Sequence, residues 1–131
     1  MNGDGTVDVV VLQRGQNDNA PGRVVVALQP SDGGSWTLGE ERPTGPKPFH
    51  LAAGDVDGDG LAEVFASSQY GHAVRGWRGS ARPTSPLLPG YDLGAGRGCM
   101  ALELVDLDGD GDLDLIVGNN HSADVSVLRA Q

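Results

Sequence analysis

The chain has 131 residues, 21 of them glycine and only 5% aromatic, with a formal net charge of -9. That length holds one domain with a modest core, and the many small turn formers suit a series of short strands better than long helices. Nine dispersed Lys and Arg against 18 Asp and Glu exclude a nucleic-acid-binding surface, no run reaches the roughly 18 apolar residues of a membrane span, and the lone Cys99 excludes an intrachain disulfide.

In chain order, the run Met1-Asn2-Gly3-Asp4-Gly5 opens inside an acidic motif that continues to Asp8. It lacks the basic and apolar regions of a signal peptide, so the chain reads as an excerpt of a longer exported protein, placed outside the cell or on its surface. A β-rich run follows at Val9 to Leu12, then a polar turn at Gln16 to Asn19 and a strand at Val24 to Gln29. After a Pro- and Gly-rich stretch the order repeats: apolar Phe49 to Gly54, an acidic loop from Asp55 to Glu63, Val64 to Ala66, a turn at Ser67 to Tyr70, and a strand at Ala73 to Arg78. It repeats again as Cys99 to Val105, Asp106 to Asp114, Leu115 to Val117, Asn119 to Ser122, and Asp124 to Arg129.

Three copies of one unit therefore fill the chain, with 55 residues from Asp4 to Asp59 and 51 from Asp59 to Asp110. The runs after each acidic loop read as strands buried on both faces. Four antiparallel strands in about 50 residues make a β-propeller blade, the fourth strand falling in each Pro- and Gly-rich stretch. The expected fold is all-β: one domain, residues 1–131, of two and a half to three blades, with units near 1–46, 47–96 and 97–131. The first blade lacks its first strand and the third its last. Closed propellers have about 4 to 8 blades, so this many leaves open blade edges, which self-association could cover.

Eleven of the 18 acids lie in the three loops, and outside them the chain is nearly neutral. Calcium takes 6 to 8 oxygen ligands, which alternate residues of a tight loop can supply. Asp55, Asp57 and Asp59 stand at positions 1, 3 and 5, with the Leu61 carbonyl at 7 and Glu63 at 9; Asp106, Asp108, Asp110, the Asp112 carbonyl and Asp114 stand likewise. The first loop offers Asn2, Asp4, the Thr6 carbonyl and Asp8, its position 1 falling ahead of Met1. Two Ca2+ sites are expected, with the first loop as a candidate third. An EF-hand needs a carboxylate at position 12 and flanking helices; position 12 is Val11, Ala66 or Val117, and the flanks are β-rich.

The stretches from Gly54 to Val64 and from Val105 to Gly118 resemble the FG-GAP and VCBS repeats of integrin α-subunit propellers and bacterial surface proteins, with Glu63 where Asp is usual. The resemblance implies calcium held between the first two strands of each blade. It implies a non-catalytic binding or adhesion module for a protein or glycan; an ancillary or catalytic propeller of a polysaccharide-degrading enzyme and a plain scaffold are the alternatives.

Spacing brings no catalytic group together. His50, His72 and His121 occupy different places in the repeat, and the latter two read as solvated turn residues. Cys99 reads as core. Trp36, Trp77, Tyr70 and Tyr91 are the rings able to stack on a sugar, but Trp77 occupies the slot of Leu28 and Leu128 and so reads as core. Arg75 interrupts an apolar strand, facing either a central channel or solvent.

Overall fold

A computed structural model describes residues 2–82 and 85–130; Met1, which opens the first acidic run, lies outside them. The described chain is all-β. Ten strands run β1 (Val9–Gln13), β2 (Pro21–Leu28), β3 (Thr37–Pro46), β4 (Pro48–Gly54), β5 (Glu63–Ser68), β6 (Ala73–Trp77), β7 (Tyr91–Gly94), β8 (Cys99–Val105), β9 (Asp114–Asn119) and β10 (Asp124–Leu128). They form three antiparallel meanders, β1-β2-β3, β4-β5-β6-β7 and β8-β9-β10. Among the described residues no helix is long and apolar enough to cross a membrane.

The second and third acidic loops join the two strands that the sequence placed on either side of them, β4 to β5 and β8 to β9, and the first leads into β1. The Pro- and Gly-rich stretches do carry strands, β3 and β7. Both lie at sheet edges, where a proline without an N–H, such as Pro43 or Pro46, costs no ladder bond on the open side.

The sheets stack through two apolar seams. In one, Val24, Val26 and Leu28 of the first sheet meet Val64, Ala66 and Trp77 of the second and Leu87 of the β6–β7 connection, with Val10, Leu12 and Leu51 against them. In the other, Phe65 and Val74 of the second meet Cys99, Leu102, Leu115 and Val117 of the third. Strand alternation explains the sharing: successive residues of β5 point to opposite faces, so Val64 and Ala66 serve one seam while Phe65 serves the other. All six residues of β5 are buried accordingly.

Two readings of the sequence are corrected. β1 is not buried on both faces: Val9 and Val11 are 43% and 49% exposed, because β1 is an edge strand and no sheet covers its outer face. Trp77 does not share a slot with Leu28. Trp77 lies opposite Val64 and Leu128 opposite Leu115, whereas the residue opposite Val9 is Ala27. The turn between β1 and β2 is longer than its two counterparts, and Leu28 falls one place further along. Trp77 is nonetheless core, only 1% exposed.

Cys99 is fully buried, and burial pushes its thiol above the ordinary range. Arg75 pairs with Asp92 across the β6–β7 ladder at 3.6 Å.

Removing the Trp77 ring leaves a void where the second sheet meets the first. Trp77→Ala is therefore expected to lower unfolding free energy by about 3–5 kcal/mol, read from the urea midpoint at unchanged slope; a loss below about 1 kcal/mol would contradict this packing.

Candidate metal centre

The loops turn sharply because paired glycines take left-handed backbone, as at Gly58 (φ 73°) and Gly60 (φ 86°) in the second and Gly109 (φ 81°) and Gly111 (φ 98°) in the third. A Cβ at any of these four would meet nothing within 4 Å, so the backbone angle, not space, demands glycine.

Each turn is held by its first aspartate. Asp55 accepts the N–H of Gly58 at 2.8 Å and of Gly60 at 2.9 Å; Asp106 accepts those of Gly109 at 2.7 Å and Gly111 at 3.1 Å. The aspartate at position 5 closes the next bend, with Asp59 accepting from Leu61 and Asp110 from Asp112. The first loop repeats the bend, as Asp4 accepts both the N–H and the hydroxyl of Thr6. Those bonds, the hydroxyl first, hold the Asp4 carboxyl below its ordinary range.

The ninth position does something that spacing did not foretell. Asp8 accepts the N–H of Gln29 at 3.2 Å, Glu63 that of Gly79 at 3.2 Å, and Asp114 that of Ala130 at 3.0 Å. In every repeat the donor lies two residues beyond the one paired with the start of the second strand: Ala27, Trp77 or Leu128. The carboxylate thus ties the end of the third strand to the acidic loop.

The second oxygens differ. That of Asp8 accepts from the Asn2 N–H and that of Glu63 from the Val56 N–H, but Oδ2 of Asp114 is buried with no partner. Glu63 is 2% exposed; burial foremost, then the charges of Asp57 and Asp59, pushes its carboxyl above the ordinary range against the pull of its two N–H donors.

Two of the three loops gather carboxylates tightly enough for one ion. Oxygens of Asp55, Asp57 and Glu63 lie within 4.8 Å of one another, as do those of Asp106, Asp108 and Asp110. Asp59 and Asp114 stand outside these groups, and among the described residues the first loop gathers no such set. The donor set is all oxygen, which suits a hard cation such as calcium, and the orphaned Asp114 oxygen is the kind of group that a cation would satisfy. In the third loop Arg129 pairs with Asp108 and already answers part of the negative charge.

At the other end of the strands the polar turns converge. Asp18 pairs with Lys47 at 2.9 Å. Lys47 lies 4.4 Å from the Tyr70 ring centroid, Tyr70 lies 6.5 Å from His121, and His121 lies 6.0 Å from His72. His72 is not simply solvated, for its Nδ1 accepts the Gly98 N–H at 3.0 Å, and His50 Nδ1 accepts that of Leu102 at 2.8 Å; both bond the second sheet to the third. Of the candidate stacking rings, Trp77 is buried, while Trp36, Tyr70 and Tyr91 are exposed, Tyr91 packing one side beside Gly76.

A model of the FG-GAP-like repeat matches residues 1–66 and again 55–117, each stretch spanning two consecutive acidic loops. No curated protein and no solved structure matches the chain.

The raised Glu63 carboxyl has a signed consequence. The unfolded chain ionises near pH 4 while folded Glu63 holds its proton to higher pH, so its contribution to stability falls as pH rises through that window. In chelator, Glu63→Gln should gain stability on the wild type as pH rises above the ordinary glutamate range, followed by urea midpoints. The mispaired amide adds an offset that does not vary with pH. Two curves that run parallel would contradict this.

Proposed function

The chain belongs to the FG-GAP-like repeat family, and on that footing we propose that it is a calcium-stabilised binding module whose three sheets are blades of a partial β-propeller. The observation that carries the reading is an acidic loop leading into a strand three times, with a strand before it and carboxylate oxygens gathered within 4.8 Å in the second and third copies.

Calcium, when bound, supplies a divalent charge that relieves the repulsion among crowded carboxylates. Asp55, Asp57 and Glu63, joined by Asp59 and the Leu61 carbonyl, would hold one ion. Asp106, Asp108 and Asp110, joined by the Asp112 carbonyl and Asp114, would hold another. Asn2, Asp4, the Thr6 carbonyl and Asp8 form a weaker candidate, with fewer carboxylates and no third acid. Binding only to the folded state stabilises by about 2.7 kcal/mol per site at hundredfold excess over Kd. Extracellular calcium modules work at about 10⁻⁴ to 10⁻³ M, and the proposed location is therefore outside the cell or at its surface.

The binding end is the cluster of turns opposite the acidic loops. Tyr70 is 40% exposed there, with Lys47 over its ring and His72 and His121 alongside. An aromatic face rimmed by hydrogen-bonding groups suits a sugar ring or a polar protein loop. The test is retention on arrayed polysaccharides and glycoproteins in millimolar calcium. Tyr70→Ala should weaken any wild-type interaction by at least about tenfold with an unchanged melting point. Equal retention by the variant, or no retention by the wild type, would contradict the assignment.

A further inference from the structure

A strap joins the turns that carry Tyr70 and His121. Residues 95–98 connect β7 of the second sheet to β8 of the third and lie against the β9–β10 turn. The Gly98 carbonyl accepts the Asn120 N–H at 3.0 Å, and the Arg97 carbonyl accepts those of His121 at 3.0 Å and Ser122 at 3.2 Å. The fit is so close that a Cβ on Gly98 would stand 2.6 Å from the His121 ring. From the other side, His72 accepts the Gly98 N–H through Nδ1. The β5–β6 turn with Tyr70 is thereby tied to the β9–β10 turn with His121.

The turn itself has no need of a histidine there. Four residues stand between Ser68 and its ladder partner Ala73, and four between Asn119 and its partner Asp124. His72 and Ala123 are the last of each four and share a left-handed backbone, φ 52° and 54°. Where the third sheet carries a methyl group the second carries an imidazole, so the ring answers to what lies beyond its own turn, which is Gly98.

We infer that His72 is a positioning residue and a proton-sensitive latch, holding the His121 turn in place beside Tyr70. A backbone N–H can only donate, so the bond to Gly98 requires Nδ1 without a proton. An imidazolium donates from both nitrogens and would set two N–H groups against each other. Histidine is the side chain whose charge ordinarily changes between about pH 5 and 8. His121 meets the His72 ring edge-on at 6.0 Å, Arg97 flanks Gly98 on the strap, and Asp124 is turned to Asn119 and Ser122. Among the described residues no carboxylate lies in ion-pair reach of His72, so a charged ring gains no counter-ion there. Gln69 reaches the third sheet more weakly, through the Met100 sulfur at 3.4 Å and a 3.5 Å contact with His121 Nε2. Acid therefore frees the strap from the second sheet, and with it the His121 turn from Tyr70. That these turns form a binding end rests on the function proposed above; the latch does not.

The experiment is nuclear magnetic resonance on the isotope-labelled whole chain in millimolar calcium at pH 8 and pH 5, with no ligand added. It reads hydrogen-exchange protection of the Gly98 amide and the ring-to-ring Overhauser contacts between Tyr70 and His121. The wild type is compared with His72→Asn, whose Oδ1 stands where the ring carries Nδ1, takes no proton in this range and tolerates left-handed backbone. His72→Ala, the residue that the third sheet already holds at this place, removes the acceptor. His50 and His121 are unchanged in all three chains, so their titration cancels in the comparison, and melts check folding. At pH 8 the wild type should match His72→Asn. At pH 5 its Gly98 protection should fall at least about fivefold below that variant, with weaker contacts between the rings, while His72→Ala is poorly protected at both. A wild type that follows His72→Asn at both pH values overturns the proton sensitivity, and full protection in His72→Ala overturns the latch. Lost protection with unchanged ring contacts overturns the positioning of His121. Because no ligand enters, a failure of Tyr70 to bind sugar or protein leaves this result standing, and a failure of the latch leaves the aromatic face to the retention assay.

Discussion

The carboxylate at the end of each acidic loop is the tie on which the rest of the sheet depends. Asp8, Glu63 and Asp114 accept an N–H from beyond the third strand while standing at the entrance to the second. Loop, second strand and third strand are thereby fixed to one another within each sheet, apart from the seams. The arrangement places acids where they repel, and burial of Glu63 and Asp114 removes the water that would screen them. A fold without a disulfide that concentrates charge in this way requires a counter-charge, and the chain supplies only a little of its own.

The second and third loops meet this demand differently. In the second, both oxygens of Glu63 are engaged by backbone N–H groups, and the carboxylate itself joins Asp55 and Asp57. In the third, Asp114 keeps one oxygen unpartnered, the gathered set shifts to Asp106, Asp108 and Asp110, and Arg129 enters as an internal cation. The extra methylene of glutamate accounts for the first difference, since it carries the carboxylate further into the loop. The loops are thus equal in backbone design and unequal in electrostatics.

Much of this architecture was legible from residue order. Period and alternation located the strands around each loop, because a half-buried strand needs apolar residues at fixed spacing. What escaped depended on distance in space. The Trp77 register turned on the length of the first turn, which no pattern around Trp77 records. β3 escaped definition because Thr37–Pro46 mixes Pro, Gly and charged residues, a composition tolerated at an edge. The backbone donors to Asp8, Glu63 and Asp114 lie 16 or more residues away. The meeting of His72 with His121 requires two sheets to stack. In the loops, spacing named the acids, but it could not say which three of each four converge.

The central claim is that a divalent cation held by these carboxylates stabilises the fold. Its most direct test is a thermal melt followed by far-UV circular dichroism on one sample in calcium, in chelator, and after calcium is restored, with metal content measured at each stage. The account predicts a β spectrum in calcium, a melting point that falls by many degrees once the metal is stripped, and full recovery with about two ions bound per chain. An unchanged melting point in a sample shown to be free of metal would contradict it.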